Sequence, residues 1–555
     1  MSKHRSEKNA VIERSKGRKE RGAFFTPPEL AEFIASWAIR SSEDRVLEPS
    51  CGEAAFLLPA AETLKELGAL EMSFNSQLHG HDIHHESVQH AEKLLAQQGY
   101  HPKLSVGDFF CEKPQELFDV VIGNPPYIRY QNFSGESRSK ALEAALKAGV
   151  RLNQLASSWA AFTIHAASFL KDEGRLGLVL PAELLTVKYA TEIRKFLLRR
   201  FKSVRLVLFE DLVFPGVLED VVLLLAEGHG SADSFEVYQA KDAQDLKDRA
   251  PEKWTGFKPK NEEKWTPALL SSKAFSVYEE CLKSGSFELL SDWGNIYLGA
   301  VTGNNKYFTL SQQEVSTFKI SKRDLTKISP PGSRHLRGLV FSEKAWESLA
   351  LNGAPCYLFT PRKSPSKGAL NYINHGEEKN INQAYKCKVR SPWWRVPLVE
   401  KPDLFFTYMN HDSPRLIKNS VGAQFLNSLY GVKLNSSRSE FGKEILPIAS
   451  LNSLTLLGAE LVGRAYGGGM LKHEPKEALK IPIPSKEILE KVENDLTLIQ
   501  SRVAALLRGN KVIEATEIVN KIILKNGLNM TDEQIESIKL SQDLLAKRRQ
   551  SRGKS

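Results

Sequence analysis

Residues 118–127 read Phe-Asp-Val-Val-Ile-Gly-Asn-Pro-Pro-Tyr, an apolar run that stops abruptly at two prolines. The run is typical of a buried strand, and Pro125 and Pro126 cannot extend a sheet because proline lacks the backbone N–H. The chain therefore leaves the sheet in an extended turn directly after Gly123. In open α/β sheets, ligands bind in the crevice beyond the carboxyl ends of the strands. This stretch thus predicts a ligand site.

The turn offers two neighbouring acceptors, the Asn124 side-chain oxygen and the Pro125 carbonyl, beside the ring of Tyr127. Two acceptors suit an amino group that has two N–H bonds to donate. The lone pair of a nucleobase amine is delocalised into the ring, and these hydrogen bonds favour pyramidalisation, which exposes the lone pair to an electrophile. Tyr127 can stack on such a base, a contact worth ~1–3 kcal/mol. The alternative is a Pro-Pro turn with a capping Asn.

Short apolar runs alternate with helical stretches from residue 45 to about residue 235. This alternation predicts an α/β domain with a mixed, mostly parallel sheet, in which the last runs include an antiparallel pair. After residue 235 the rhythm disappears, and the Pro-, Gly- and aromatic-rich chain predicts an α+β domain. The predicted boundaries are a basic flexible arm at 1–22, a first domain at 23–235, a second at 236–485, and a helical segment with a basic tail at 486–555.

A second candidate site lies upstream, at residues 46–56, where a strand leads into a Gly-containing turn and then a helix. That geometry brings a nucleotide-like ligand against backbone N–H groups. Asp82 follows the next strand, and Asp108 and Phe109 follow the one after it. An acidic residue after the second strand suits ribose hydroxyls, and an Asp beside a stacking Phe suits an adenine amine. Each Asp alone is more often a helix cap, but in this order they predict a nucleoside pocket.

In these motifs the chain resembles the adenine-specific (N6) DNA methyltransferases of bacterial restriction-modification systems. It resembles the subclass whose cofactor motifs precede the catalytic turn and whose target-recognition domain is C-terminal. Four stretches are similar to that family's N-terminal cofactor motif, first cofactor motif, catalytic motif and late aromatic motif: residues 22–27, 48–56, 124–127 and 213–223. Residues 466–475 resemble a string of its target-recognition domains, whereas Ala54 stands where the family usually has a glycine.

The resemblance implies a Rossmann-like S-adenosylmethionine-dependent methyltransferase domain followed by an α+β target-recognition domain and a helical tail. The methyl acceptor would be an adenine flipped out of duplex DNA and held between Tyr127 and Phe214. The implied catalytic residues are Asn124, Pro125, Pro126, Tyr127 and Phe214. The implied residues for S-adenosylmethionine are Thr26, Glu48, Ser50, Cys51, Gly52, Asp82, Ile83, Asp108, Phe109 and Asn124. Methyl transfer from a sulfonium needs no metal, and we expect none.

The formal charge of +10 is unevenly distributed along the chain. Residues 311–420 hold 18 Lys and Arg against nine Asp and Glu, and a basic block within a folded body is typical of a phosphate-contacting surface. Basic side chains alternate with aromatic ones over residues 362–395, as expected of a DNA-contacting region. The candidates are Arg362, Lys363, Lys386, Lys388, Arg390, Trp394 and Arg395.

Five scattered cysteines without a CxxC pair suit a reducing compartment, and no apolar stretch approaches the ~20 residues that cross a bilayer. We therefore expect a cytoplasmic, nucleoid-associated bacterial protein without membrane contact. Asymmetric duplex recognition favours a monomer over a dimer, and a cognate restriction endonuclease stays open as a partner. Two other functions also stay open: the same turn resembles that of enzymes methylating RNA guanine or protein glutamine amides, and an inactive DNA-binding specificity protein could share this fold.

Overall fold

A computed structural model describes residues 26–210, 213, 221–248, 251, 253–259 and 264–551. The chain divides between Leu269 and Leu270 into two units. The described candidate residues for catalysis and cofactor binding lie in the first unit, and the candidate DNA-binding residues lie in the second.

The strands of the first unit are β1 (Val46–Glu48), β2 (Leu78–Asp82), β3 (Lys103–Val106), β4 (Phe118–Gly123), β5 (Leu170–Pro181), β6 (Phe201–Phe209), β7 (Val221–His229), β8 (Phe235–Ala240) and β9 (Thr255–Phe257). They form one sheet in the order β3-β2-β1-β4-β5-β7-β6-β8-β9. The strands from β3 to β5 in this order pair in parallel, and β7 lies antiparallel between β5 and β6. This mixed, mostly parallel sheet confirms the predicted fold class, including its antiparallel pair.

The helices of the first unit are α1 (Pro28–Ala38), α2 (Leu57–Glu66), α3 (Phe74–Gln77), α4 (His85–Gln97), α5 (Gly135–Lys147), α6 (Ser158–Ala167), α7 (Glu183–Thr186), α8 (Thr191–Arg200) and α9 (Ala243–Asp248). Short 3₁₀ turns occur at Glu71–Ser73, Phe109–Cys111, Lys188–Ala190 and Thr266–Leu269. Helix α6 connects β4 to β5, and all ten of its residues are buried. It therefore belongs to the core.

Helix α1 packs against the sheet near β5. Proline is favoured at the first position of a helix, and Pro28 occupies that position. The helix buries Leu30 and Ile34, and a Cβ on Gly177 of β5 would lie 2.5 Å from Ile34 Cγ2. A glycine at this position therefore permits the close approach of α1. Thr26, just before α1, consequently reaches the residue that follows β4.

The carboxyl ends of β1 to β4 lie at one edge of the sheet, because these strands are parallel. Glu48 ends β1 and Asp82 ends β2. Asp108 lies two residues after the end of β3, and Asn124 follows directly after the end of β4. The sheet thus collects at a single edge the acidic and amide side chains that the sequence spreads over 77 positions.

The first unit extends beyond residue 235, where we expected it to end. Strand β8 pairs in parallel with β6, and β9 pairs with β8, so the sheet gains two strands after that residue. Our boundary was wrong because β8 and β9 are short and partly exposed, and therefore lack the continuous apolar run of the central strands. Beyond them, the first unit ends at Leu269.

The strands of the second unit are β10 (Phe287–Leu289), β11 (Gly294–Leu298), β12 (Thr309–Leu310), β13 (Leu325–Lys327), β14 (Val340–Phe341), β15 (Tyr357–Phe359), β16 (Leu404–Phe406), β17 (Met409–Asn410), β18 (Leu416–Asn419), β19 (Tyr430–Leu434), β20 (Arg464–Tyr466), β21 (Met470–Lys472) and β22 (Pro482–Pro484). They form small sheets, the largest in the order β11-β19-β16-β18-β14. Mostly antiparallel pairing between short strands fits the predicted α+β class.

The helices of the second unit are α10 (Ser272–Lys283), α11 (Leu290–Trp293), α12 (Asn305–Phe308), α13 (Gln312–Thr317), α14 (Glu343–Leu351), α15 (Lys367–Glu378), α16 (Tyr385–Lys388), α17 (Ser439–Ala449), α18 (Ser453–Val462), α19 (Pro475–Ala478), α20 (Lys486–Arg508), α21 (Val512–Asn520) and α22 (Asp532–Ser551). Short 3₁₀ turns lie at Lys322–Asp324, Ile381–Gln383 and Gly467–Gly469, and a π-helix spans Lys521–Gly527. Within the described residues, no single helix is long and apolar enough to cross a membrane, and only the bent pair α17 and α18 meets that test jointly.

The C-terminal helices belong to the second unit, although we expected residues 486–555 to form a separate segment. Helix α22 packs against α10 and α18. Its Arg549, which we assigned to a basic tail, is 4 % exposed and forms a bidentate ion pair with Glu460 at 2.8 and 3.0 Å. The net charge of the tail did not predict this contact, because composition does not show whether an arginine is buried or exposed to solvent.

Candidate active site

Asn124 is oriented by a residue that lies 98 positions earlier in the chain. Its Nδ2 donates a hydrogen bond of 3.2 Å to Thr26 Oγ1, and Thr26 is buried. Its Oδ1 is buried and has no hydrogen-bond partner among the described residues. A buried oxygen without a donor is unusual in a folded protein, because it loses its hydration without compensation. This atom is therefore prepared to accept a hydrogen bond from a ligand.

The turn at residues 124–127, which we call the catalytic turn after its predicted role, has its backbone held by hydroxyl groups from two other elements. Ser50 Oγ donates to the Asn124 carbonyl at 3.2 Å, and Ser158 Oγ donates to the Pro126 carbonyl. The Ser158 hydroxyl also accepts a bond of 2.8 Å from the Ile128 N–H. The backbone of a proline cannot donate a hydrogen bond, so the turn lacks the regular bonds of a strand. The hydroxyl groups of Ser50 and Ser158 fix its backbone instead. The two acceptors predicted from the sequence thus lie in a firmly held turn.

Tyr127 lies at the end of the catalytic turn and is 8 % exposed. Its hydroxyl donates a hydrogen bond of 2.9 Å to the Val179 carbonyl in β5. This bond fixes the direction of the ring relative to the sheet. The stacking of Tyr127 on a base stays a prediction. Phe214, predicted as the opposite face of that stack, lies outside the described residues, as do residues 22–25 of the N-terminal motif.

The first cofactor motif forms a tight loop after β1. Gly52 has a φ of +49°, and its N–H donates to Asp82 Oδ2 at 2.9 Å. Asp82 Oδ1 accepts from the His84 N–H at 2.8 Å, so this carboxylate organises the loops after both β1 and β2. Asp82 is only partly buried, and a carboxylate has lone pairs beyond the two used here. Its predicted contact with ribose hydroxyls is compatible with this arrangement.

Ala54 also adopts the left-handed backbone conformation, with a φ of +67°. It is 1 % exposed, and its N–H donates to the Cys51 carbonyl at 2.7 Å. A residue with a Cβ is strained in this region, whereas glycine is not. The departure from the family glycine at position 54 therefore leaves the turn geometry in place but adds strain to it.

We expected Glu48 and Cys51 to bind the cofactor, but both side chains are buried, each 1 % exposed. Glu48 Oε2 accepts from the Leu57 N–H at 3.0 Å, at the beginning of α2. Burial raises the pKa of Glu48 well above its usual value, an effect that the Leu57 N–H opposes and the nearby Asp82 charge increases. Burial likewise raises the pKa of the Cys51 thiol. In the structure these side chains shape the loop from beneath.

The third strand end carries the predicted adenine-binding turn. Asp108 Oδ1 accepts from the Phe110 N–H at 3.1 Å and caps the 3₁₀ turn. The Phe109 ring is 5 % exposed and packs among the rings of Phe162 and His165, at centroid distances of 5.1 and 4.8 Å. We expected Phe109 to stack on a base, but this ring is part of the aromatic core. The sequence could not distinguish the two roles, because a phenylalanine after a strand end can either stack on a ligand or pack into the core.

Ile83, which lies directly after β2 and which we expect to bind the cofactor, is exposed. Its side chain is 56 % exposed at the carboxyl edge of the sheet, which is high for an isoleucine. An exposed apolar side chain beside Asp82 combines a surface for an aromatic ring with an acceptor for hydroxyl groups. Together with the Asn124 oxygen, this arrangement suits a nucleoside ligand at one part of the edge and an amine at another.

The candidate DNA-binding residues fall into two groups. Five of them are exposed, and no carboxylate among the described residues lies within ion-pair distance of their side chains: Arg362, Lys363, Lys386, Lys388 and Arg395. The other two have structural contacts, which corrects our interpretation. Arg390 donates to the Val301 and Thr302 carbonyls, and Trp394 is partly buried against the core around Tyr307. Composition cannot distinguish the two groups, because a basic residue that binds backbone carbonyls has the same charge as one that is free to bind phosphate.

Sequence reasoning did not find Ser158 and His165, two residues of α6 that form hydrogen bonds with the predicted ligand turns. The pair Ser157-Ser158 before an apolar run is a signal for a helix start. That signal places the helix but not its neighbours. The contact with Pro126 depends on how α6 packs against the sheet, which only the folded chain reveals.

Two family models match partly overlapping stretches of the chain. Residues 12–284 match the model described as N-6 DNA Methylase, and residues 262–524 match the C-terminal domain of type II methyltransferase M.Eco57I. The first match contains the catalytic turn and the three strand ends described above. The second covers the candidate DNA-binding residues.

Full-length relatives are similar over most of both chains. The type II methyltransferase M.AccI of Acinetobacter calcoaceticus is 23% identical, covering 91% of this chain and 93% of its own. M.XamI of Xanthomonas campestris pv. amaranthicola is 22% identical, covering 84% and 86%. Among solved structures, the type IIL restriction-modification enzyme MmeI in complex with DNA has a TM-score of 0.52 at 11% identity, over 94% of this chain and 75% of MmeI. This last likeness concerns the fold alone.

Proposed function

This chain belongs to the N6-adenine DNA methyltransferases of restriction-modification systems, and from that premise we propose that Asn124 and the Pro125 carbonyl bind the adenine amine during methyl transfer. The observation that carries this assignment is the buried, unpartnered Asn124 Oδ1. An amine donor of the substrate would satisfy it. Asn124 Nδ2 is already committed to Thr26, so the oxygen is the atom that faces the ligand.

S-adenosylmethionine is the methyl donor we assign to the carboxyl edge of the sheet, and the residues there fit it. Asp82 and exposed Ile83 suit its ribose and base, and the Asp108 carboxylate suits an adenine amine. The left-handed turn at Gly52 keeps the chain close to the edge without a side chain. When bound, this cofactor supplies an electrophilic methyl group attached to a sulfonium.

The Asn124 side-chain oxygen and the Pro125 carbonyl accept hydrogen bonds from the two N–H groups of the adenine amine, which favours a pyramidal nitrogen whose lone pair is no longer delocalised into the ring. As the amine attacks, positive charge develops on its nitrogen, and oriented acceptor oxygens stabilise that charge more strongly than they stabilise the neutral amine. The methylated amine is then acidic enough to release a proton to solvent. No residue of the turn needs to act as a strong base.

The adenine must leave the duplex to reach this turn, at a cost of a few kcal/mol. We assign its stacking to Tyr127 and to Phe214, and we assign contacts with duplex DNA to the second unit. The exposed Arg362, Lys386 and Lys388 lack carboxylate partners among the described residues, so their charges are available to phosphates. We further propose that the enzyme acts as a monomer in the cytoplasm, in association with the nucleoid.

The test is to incubate the purified protein with methyl-labelled S-adenosylmethionine and unmethylated plasmid DNA, digest the DNA to nucleosides and identify the label. We expect labelled N6-methyladenine from the wild type, and none from Asn124→Ala. Cofactor affinity of Asn124→Ala should stay within about threefold of the wild type, a difference of ~0.7 kcal/mol. An unchanged rate in this variant contradicts the assignment of Asn124, and label in a base other than adenine contradicts the acceptor.

A further inference from the structure

The beginning of α6 holds the catalytic turn. Ser158 contacts it through three hydrogen bonds: its N–H donates to the Ile128 carbonyl at 3.0 Å, its hydroxyl accepts from the Ile128 N–H at 2.8 Å, and the same hydroxyl donates to the Pro126 carbonyl. Ser158 is 1 % exposed, so water cannot replace these contacts easily. Ser158 therefore holds the chain at Pro126 and Ile128 through both its backbone N–H and its hydroxyl.

The second half of the same helix holds the Asp108 turn. His165 Nε2 lies 3.0 Å from the Phe109 carbonyl, which can only accept, so Nε2 carries the proton. Burial lowers the pKa of His165 and so favours the neutral ring. Its ring also packs 4.8 Å from the Phe109 ring and 5.9 Å from that of Phe110. The turn that we assign to the adenine of the cofactor is thus attached to α6 as well.

Helix α6 is a rigid connection between these two contacts. Its ten residues are all buried, and Ser158 and His165 are seven residues apart, about 10 Å along a helix axis. The helix start is further fixed by Tyr189, whose hydroxyl accepts from Trp159 Nε1 at 3.1 Å and lies 3.1 Å from Ser157 Oγ. A helix held in this way sets the distance between the catalytic turn, which Ser158 contacts, and the Asp108 turn, which His165 contacts.

We propose that Ser158 and His165 are positioning residues with separate tasks: Ser158 places the amine acceptors for the transfer step, and His165 places the Asp108 turn for cofactor binding. This inference rests on the proposed function of the two turns. Neither side chain is expected to touch a substrate. Each acts through backbone groups, Ser158 through Pro126 and Ile128, and His165 through Phe109.

The separation predicts opposite kinetic signatures for two variants of one helix. Ser158→Ala removes the hydroxyl that holds the catalytic turn, so kcat should fall by at least about tenfold while the Kd for S-adenosylmethionine stays within about twofold. His165→Phe keeps a ring but removes the donor to Phe109. The Kd for S-adenosylmethionine should rise by about tenfold, and kcat at saturating cofactor should stay within about threefold.

Thr163→Val is the matched control, because Thr163 is fully buried in the same helix and its hydroxyl, among the described residues, bonds only to the Trp159 carbonyl. It should change neither parameter by more than about twofold. Ser158→Thr and His165→Gln, which retain a hydroxyl and an N–H donor, should recover part of the lost function. If Ser158→Ala does not fold, Ser158→Cys, with a similar size and a weak donor, replaces it with the same expectation.

Calorimetric titration with S-adenosylmethionine and the labelled-methyl assay under saturating DNA measure the two parameters separately. Loss of both parameters together in each variant, or a Ser158→Ala enzyme with wild-type kcat, overturns the inference. These outcomes differ from failure of the proposed function, in which the wild type itself would place no label on adenine.

Discussion

Asn124 Nδ2 lies 3.2 Å from Thr26 Oγ1, and on the other side of the same amide Oδ1 is buried without a hydrogen-bond partner among the described residues. The amide group is symmetric in shape, so only its hydrogen bonds determine which end faces a ligand. Thr26 accepts from the nitrogen and thereby directs the oxygen toward the substrate. The start of the first unit thus controls a residue that follows its fourth strand.

Replacing Thr26 with valine should lower kcat about tenfold, because an isosteric side chain without an acceptor no longer selects the amide orientation, at a cost of ~1–1.5 kcal/mol. The KM for DNA and the Kd for S-adenosylmethionine should change much less, because the Thr26 hydroxyl, which we expected to bind the cofactor, instead contacts Asn124. Steady-state methylation with labelled cofactor measures all three. Thr26→Ser is the control and should keep near-normal activity, since it retains Oγ. Equal losses in Thr26→Ser and Thr26→Val would show that the methyl group, and not the acceptor, matters.

Ala54→Gly should stabilise the protein by about 1 kcal/mol. Ala54 has a φ of +67°, a conformation that costs an L-residue roughly 1–2 kcal/mol and glycine little, and glycine loses part of this advantage through its more flexible unfolded chain. The control is Ala60→Gly within α2, a fully buried helical position where glycine should be destabilising by about 1 kcal/mol or more. Chemical denaturation of both variants gives the two signs, and a loss of stability in Ala54→Gly contradicts the strain.

The stability of Glu48→Gln, measured as its difference from the wild type, should increase as the pH rises. Burial raises the pKa of Glu48 in the folded protein above that of the unfolded chain. Its stabilising contribution is therefore complete below the ordinary glutamate pKa and is lost as the pH rises through the folded value. Glutamine keeps an acceptor for the Leu57 N–H without titrating.

The measurement for Glu48→Gln is Tm at several values from pH 5 to pH 8. The difference between variant and wild type should grow with pH. Glu86→Gln, at an exposed position of α4, is the control and should show a flat difference. A constant difference for Glu48→Gln across the same range would mean that the buried carboxyl does not titrate as inferred.

The sequence located the strand ends that carry the candidate site residues because the signals for those strand ends are local. An apolar run ended by two prolines can only be a strand that leaves the sheet, and parallel order then brings Glu48, Asp82, Asp108 and Asn124 to one side. The antiparallel strand β7 was also foreseen from the adjacent runs near residues 204–226. In each case a few neighbouring residues determine the backbone path.

The contacts that fix side chains were not predictable in the same way, because they join distant residues. Ser158 meets Pro126 across 32 positions, and Arg390 meets Thr302 across 88. Phe109 was misassigned for the same reason: its neighbours Phe162 and Phe169 lie in α6 and shortly after it. A pattern shows which residue types are present, whereas packing decides which of them stay free for a ligand.

Lys386→Ala and Lys388→Ala should each weaken DNA binding and reduce the slope of log Kd against log salt by about one, as expected when one phosphate contact is lost. Both side chains are exposed on α16. Arg390→Ala should instead lower Tm, because its guanidinium holds the Val301 and Thr302 carbonyls. Fluorescence anisotropy with a labelled duplex over about 50 to 200 mM salt gives the slopes.

Lys344→Ala, at an exposed position of α14, is the control for the salt slope and should leave it unchanged. Equal slopes in Lys344→Ala, Lys386→Ala and Lys388→Ala would contradict a phosphate-contacting role for α16. A lower Tm in the α16 variants would likewise assign them to folding.

Arg549→Ala should destabilise the second unit by about 3–5 kcal/mol, because it leaves the Glu460 carboxylate buried without its partner. The side chains of Arg549 and Glu460 are only 4 % and 6 % exposed. Burial raises the pKa of Glu460, and Arg549 opposes that shift. Without the arginine, the carboxyl takes up a proton more readily, so the loss of stability should be smaller at pH 5 than at pH 8. Denaturant unfolding at both pH values measures this loss of stability, with exposed Lys547→Ala as the control.

The double variant Arg549→Met with Glu460→Leu should recover most of the stability, since it removes the buried charges together. A loss in the double variant as large as in Arg549→Ala would mean that the hydrogen bonds from Arg549 to the His411 and Gly469 carbonyls, and not the ion pair, hold the end of α22.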